Sequence, residues 1–499
     1  MKSKELQMIT QAFANVRTHR RSFLKSTLIG AAALALPQLV KAKDGSLPKI
    51  VIVGSGVSGL SAAYFLQKQG LKAEIYEGSF RVGGRMFTYQ NVFEKKASTD
   101  LGGEFIDTNH LDLIALAKEL GVELYDLSKD PLLENTVYIG KKFYTEKQIS
   151  EALLPYVDAI EKDLAQLPDI FHYADNQSFK ELDALSVTEY LDSRKIKGWI
   201  RRLIEIAITT EYGCEASLQS ALNFLTILEV PQKSSTDYKL LGKEHETYKY
   251  KGGAESLITK LNEKVGQQVK LNHLLTKVKS NENGKTTLFF SAPEGDISIE
   301  ADIVLLTVPF SVLRSLELDF PMSQAKQMAI NELGYSNASK FILGFNEKTW
   351  RNAKSQGYIY SDTSIHSGWD STQMQAGKRG ALAVFLGGKN AEFYQEKSEK
   401  EITNTFLNDL EKIFPKSKQA FNHKTLQFIW KDYPYSLGAY SVYLKGQWAK
   451  FVGAEAEPCG NIFFAGEHTS VEFQGFMNGA VNSAKLAVNQ IIKKLEEIK

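Results

Sequence analysis

Cysteine is nearly absent. Cys214 and Cys459 are the only two in 499 residues. Their distant spacing gives no argument for pairing, although an oxidising compartment would leave it open, so two unpaired core thiols are expected. With eight histidines and two cysteines showing no metal-ligand spacing, nothing calls for a metal centre. A long apolar run is missing as well. The longest near the N-terminus, residues 26–36, is about half of the roughly 20 residues a membrane span needs. Excess basic charge is missing once residues 1–42 are set aside. They hold seven Lys/Arg and one acid, leaving 53 basic and 57 acidic residues beyond them. Nucleic acid is therefore not an expected partner. No repeat or low-complexity linker interrupts the chain. The composition, 43% hydrophobic and 24% charged, is that of a soluble globular protein. The length calls for two or more domains.

Residues 49–77 organise what is present. An apolar, β-branched run ends at Val53, and Gly54-Ser55-Gly56-Val57-Ser58-Gly59 follows as G-x-G-x-x-G. The glycines suit a sharp turn, a close backbone approach to pyrophosphate and tight helix–sheet packing. Leu60, Ala63, Tyr64 and Leu66 then recur at helical spacing up to Gly70. A second strand, 73–76, ends at Glu77, where a ribose-binding acid belongs. This predicts strand, turn, helix, strand and a bound dinucleotide, without deciding which dinucleotide.

Later stretches narrow the choice. Arg81-Val82-Gly83-Gly84-Arg85 suits a phosphate-approaching turn flanked by guanidinium groups. It resembles the second motif of the FAD-dependent amine oxidase family. The same family is resembled by Asp100-Leu101-Gly102-Gly103-Glu104-Phe105-Ile106, by Tyr250-Lys251-Gly252-Gly253, and by the strand around Val278. Strand 301–309 stopped by Pro309, the stretch around Lys340, the stretch from Trp430 to Tyr440, and residues 462–484 complete the likeness. It covers nearly all of residues 48–490.

The resemblance implies an α/β fold (α+β, two-domain). A Rossmann-type FAD-binding domain would be assembled from 47–106, 246–312 and 435–495. A substrate domain of mixed sheet and helices would comprise 107–245 and 313–434, with 146–236 mainly helical. FAD contacts are implied for the fingerprint residues Gly54 to Gly59, for Glu77 and Gly78, for Gly84 and Arg85, and for Gly102, Gly103, Glu104 and Phe105. Val278 would meet the adenine through its backbone, and Gly466, Glu467, Gly475, Phe476 and Met477 would close the site. Catalytic positions would be Lys340, holding a water against the flavin, Trp430 facing the ring, and the aromatic pair Tyr440 and Phe476. The cysteine that tethers FAD in mitochondrial monoamine oxidases aligns with Ala439, so FAD is expected to be non-covalent.

The implied reaction is hydride transfer from the amine-bearing carbon to FAD, with imine hydrolysis to aldehyde and ammonia. Oxygen would take the electrons, giving hydrogen peroxide. L-Amino-acid oxidases of this superfamily place an arginine after the glycine pair; here Glu104 and Phe105 stand there. An acid at that position suits a cationic amine, diamine or polyamine, although Glu104 could equally bond protein groups. An L-amino-acid oxidase is the alternative, and Arg351 could serve its carboxylate. A desaturase or a non-catalytic flavin-binding protein are further readings.

His19-Arg20-Arg21-Ser22-Phe23-Leu24-Lys25 resembles a twin-arginine export motif. It is followed by a mildly apolar run and by a small-residue cleavage site at Val40-Lys41-Ala42. That implies the twin-arginine machinery as a partner and a periplasmic or otherwise exported protein, meeting the membrane only transiently unless the signal stays uncleaved. A homodimer stays open.

Overall fold

The computed structural model describes residues 47–232, 236–242 and 245–497. The Arg20-Arg21 motif and its cleavage site lie outside the described residues. Five parallel strands form the first sheet: β1 (Ile50–Val53), β2 (Ala73–Tyr76), β3 (Val269–Lys270), β4 (Ile303–Leu306) and β5 (Ile462–Phe464), in the order β3-β2-β1-β4-β5. Ile50 is in register with Ala73 on one side and Ile303 on the other, and Val304 with Ile462. β1 and β4 are buried throughout, as apolar strands covered on both faces must be. Ile50 and Ile52 pack with Leu60, Ala63 and Leu66 of helix α1 (Val57–Lys68) and Val481, Ala484 and Val488 of α2 (Met477–Glu497). Val51 and Val53 join the core on the opposite face.

A second sheet of seven strands, mostly antiparallel, runs in the order Phe421–Ile429, Ala338–Phe345, Gly380–Gly387, Ser367–Asp370, Ile359–Ser361, Thr136–Ile139, Lys142–Tyr144. Lys340 belongs to the strand Ala338–Phe345, which is buried at every position and flanked on both sides. Its lysine is therefore neither an edge nor a surface residue. A three-stranded sheet of Phe105–Ile106, Tyr248–Tyr250 and Leu124–Asp126 lies outside both. Within 146–236, helices occupy Glu146–Leu153, Val157–Leu164, Val187–Ser193, Gly198–Tyr212 and Ala221–Ile227. Thr145 and Ser186 start two of them with reciprocal capping boxes. Cys214 and Cys459 are buried free thiols. No helix among the described residues is long and apolar enough to cross a membrane.

Gly59 fixes how α1 meets β1. A Cβ there would stand 2.0 Å from the Gly54 carbonyl oxygen, and that atom belongs to a turn with φ +102°. Neither partner can give way. Gly59→Ala is expected to destabilise the protein by about 1–3 kcal/mol through overpacking, seen as a lowered denaturation midpoint; an unchanged midpoint would contradict this packing.

Candidate active site

A cavity of about 310 Å³ opens at the carboxyl ends of β1, β2, β4 and β5, where open α/β sheets bind ligands. Gly54, Glu77, Thr307 and Gly466 line one wall, and Lys340, Tyr358, Tyr360, Trp369 and Phe385 of the seven-stranded sheet line the other. The α1 N-terminus enters this space without a side-chain cap, so its first-turn N–H groups are available to an anion. A Cβ at Gly56 would meet nothing, whereas one at Gly102 would stand 1.8 Å from the Arg85 carbonyl oxygen and one at Gly103 2.8 Å from Met477 Sδ. The floor is thus backbone brought as close as glycine allows. Ser58 Oγ and Gln474 Nε2 are buried in this wall without protein partners. A glycine-built cradle, a helix N-terminus and unfilled polar atoms fit the pyrophosphate and ring system of FAD.

Most of the residues named from sequence meet at this cavity. Gly54, Gly56, Val57, Ser58, Glu77, Gly78, Gly84 and Arg85 line it, as do Gly102, Gly103, Glu104, Phe105, Gly466, Glu467, Gly475, Phe476 and Met477. Lys340, Trp430 and Tyr440 line it too. Three do not. Ser55 turns inward, its N–H and Oγ donating to Glu77 Oε2 at 2.6 and 2.9 Å. Gly59 serves helix packing. Val278 is fully buried in its strand, paired with Leu288 and Leu318 on either side, so its backbone is committed to the ladder. Leu274 and Leu275, at the start of that strand, reach the cavity instead.

Two buried carboxylates tie the walls together. Glu467 accepts from Arg85 Nη1 at 2.7 Å, Ser441 Oγ at 2.6 Å and the Gly475 N–H at 2.8 Å. Burial raises its affinity for a proton, but the Arg85 charge and these donors hold its carboxyl below the usual range. Glu104 accepts from Lys249 Nζ at 2.5 Å, Lys340 Nζ at 2.7 Å and Trp369 Nε1 at 3.0 Å. Burial is again outweighed, here by two lysines. Glu104 is therefore neutralised inside the protein and does not stand free for a cationic substrate, which corrects that expectation in favour of its protein-bonding alternative. Trp430 is fixed by donation from Nε1 to the Leu101 carbonyl at 2.9 Å. The Tyr440 hydroxyl donates to the Glu211 carbonyl at 2.7 Å, and the half-buried Phe476 ring stands 5.1 Å from that of His110.

Sequence reasoning missed a group beside these rings. Asp107, Glu211, His245 and Glu246 all line the cavity. His245 Nδ1 lies 3.4 Å from Asp107 Oδ2, and Nε2 lies 3.4 Å from Glu211 Oε2 and 3.9 Å from Glu246 Oε1. Burial opposes charge on the imidazole, yet the surrounding carboxylates, Asp107 foremost, hold its pKa well above the ordinary value. Burial pushes the Glu246 carboxyl up to about 7 despite His245. Asp107 closes the Asp100–Ile106 glycine motif and could have been noticed there; the other three converge only in the fold.

Residues 57–492 match the family described as flavin containing amine oxidoreductase, and the chain belongs to that family. It is an FAD-dependent oxidoreductase of amines. An L-amino-acid oxidase from Vipera ammodytes ammodytes is 25% identical, across 91% of this chain and 95% of its own. A probable polyamine oxidase 4 from Arabidopsis thaliana is 26% identical, across 89% and 87%. In fold, a putrescine oxidase bound to putrescine matches with a TM-score of 0.77 at 23% identity, over 89% of this chain and 99% of that one. Cyclohexylamine oxidase from Brevibacterium oxydans IH-35A matches with 0.79 at 21%, over 90% and 99%.

Removing the cation that faces Glu467 tests the cofactor wall. Arg85→Ala leaves a buried carboxylate unpaired, expected to cost about 3 kcal/mol and to yield protein with little FAD. Thermal melting and the visible spectrum of the purified protein check this; a fully yellow variant with unchanged melting would refute it.

Proposed function

We propose that this protein oxidises a primary amino group of a diamine or polyamine. FAD would be held non-covalently, oxygen would be the final acceptor giving hydrogen peroxide, and the protein would be exported by the twin-arginine route. The observation that carries the substrate class is the cluster of Asp107, Glu211 and Glu246 around His245, next to Tyr440 and Phe476. A free alkylamine has a pKa of about 10.4 and arrives protonated. Aromatic and apolar surface beside the reacting nitrogen favours its neutral form, while carboxylates farther along hold a second, still charged, ammonium. Bound FAD would supply the acceptor for the two electrons leaving the amine-bearing carbon. The protein's part is placement. Donation to the Glu211 carbonyl fixes the plane of Tyr440, and contact with His110 seats Phe476 on the same side as Asp107, whose N–H donates to His110 Nδ1 at 3.0 Å.

An L-amino-acid oxidase would need a cation for the substrate carboxylate. Arg85, the only arginine among the described residues lining the cavity, is taken by Glu467. Arg351 forms a two-pronged pair with Asp130 at 2.8 and 2.6 Å and does not line the cavity. What supports non-covalent FAD is Ala439, a cavity residue with no nucleophile where a tethering cysteine would stand. What supports export is the Arg20-Arg21 motif in the sequence.

A peroxide-release screen over diamines, polyamines, monoamines and L-amino acids tests the substrate class, with turnover expected on diamines or polyamines. Asp107→Asn should raise KM for the best diamine about tenfold, and that for a monoamine of equal chain length by less than threefold. Glu246 sets the pH response. Below about pH 7 its carboxyl is protonated and attracts nothing; above it the carboxylate is ionised, so KM should fall as pH rises from 6 to 8. Glu246→Gln should flatten that slope. Turnover confined to L-amino acids would end the proposal. Acid precipitation should release all yellow colour into the supernatant, and the exported protein should begin near Lys43; colour in the pellet or an intact N-terminus would contradict these two points.

A further inference from the structure

Lys249 stands in the strand Tyr248–Tyr250, in register with Phe105, and its side chain is 3% exposed. Its Nζ donates to Glu104 Oε1 at 2.5 Å and to the Ser371 carbonyl at 3.1 Å, and lies 5.3 Å over the Phe105 ring. The other Glu104 oxygen takes Lys340 Nζ and Trp369 Nε1. Lys340 Nζ also donates to the carbonyls of Asp100 at 3.0 Å and Gly102 at 2.9 Å. Three acceptors use all three N–H groups of an ammonium, leaving none for the flavin-side water expected of Lys340 from the sequence. The nearby Asp100 carboxyl faces elsewhere, accepting from Thr88 Oγ1 at 2.5 Å and the Ala254 N–H at 2.9 Å.

Two lysines thus share one carboxylate, each held to its own oxygen. We propose that Lys249 is a positioning residue that acts through Glu104: by holding Oε1 it keeps Oε2 on Lys340, pins Lys340 to the floor of the cavity, and adds a positive charge that favours electron uptake by the bound flavin. Charge in a water-poor wall acts strongly on a group that gains negative charge. Without Lys249, Glu104 Oε1 loses its ammonium partner, and the wall loses one positive charge. Without Glu104, two ammonium groups face each other unscreened, and the wall gains one. The two substitutions therefore push the flavin in opposite directions, which a scaffolding role for Lys249 would not produce.

The proposal rests on the flavin reading of this cavity. Its test is the flavin midpoint potential measured by dye equilibration without substrate, so an error in the substrate class leaves it untouched. Lys249→Met should make two-electron reduction about tenfold less favourable, a shift of about 30 mV to the negative. Lys249→Arg should stay near the parent. Glu104→Gln should shift the potential positive, and Glu104→Gln combined with Lys249→Met should return toward the parent value. Unchanged potentials, or shifts of the same sign, would overturn the proposal. If Lys249→Met does not retain FAD, Glu104→Gln and the double variant, whose net charge at this wall equals the parent's, decide it by the same signs.

Discussion

Everything at the cavity depends on keeping a few charges out of water without leaving any of them alone. Glu104 is the clearest case. Its carboxylate follows the Gly102-Gly103 turn, one of its lysines comes from the three-stranded sheet, and the other lysine and Trp369 come from the seven-stranded sheet. An unpaired carboxylate there would be costly, so these elements have to meet in one arrangement. Glu467 imposes the same requirement on the far side, joining β5 to the Arg81–Arg85 turn and to Ser441. The cavity is shaped by these two anchors as much as by hydrophobic packing.

The anchors also sort the charges by role. Glu104 and Glu467 are each matched by basic side chains and serve the protein. Asp107, Glu211 and Glu246 gather around His245, and Asp107 Oδ2 also lies 3.8 Å from Nε2 of His110. This carboxyl-rich group faces the cavity, and the proposed diamine or polyamine would place its second ammonium there. Among the described residues, Arg85 is the only arginine lining the cavity.

The nucleotide end was legible because its requirements are local and steric. Gly54, Gly56 and Gly59 stand at fixed offsets from an apolar strand, and a side chain at Gly59 has nowhere to go. The likeness of whole motifs brought Lys340, Trp430 and Tyr440 to the cavity, since each lies within a stretch long enough to recognise. Val278 was misplaced because a strand's sequence does not say which of its residues reaches a ligand; the ladder on both sides decides that. Glu104 was read with its neighbours unknown. Lys249 could have been suspected as a lysine between two tyrosines in a short strand, but Glu211 and His245 carry no such local mark. Their meeting depends on a helix end and a loop brought together from distant parts of the chain.

The parallel sheet also dictates an order of events during synthesis. β1 begins at residue 50, its neighbour β4 at 303, and β5, which completes the sheet, at 462. The first strand can pair with β2 early, but its other neighbour arrives only at residue 303 and the sheet closes only at residue 462. Gly466, Gly475 and Met477 follow β5, so these parts of the cavity lining emerge only after the last strand of the sheet. A chain ending before residue 462 would lack both the last strand of this sheet and the cavity residues that follow it.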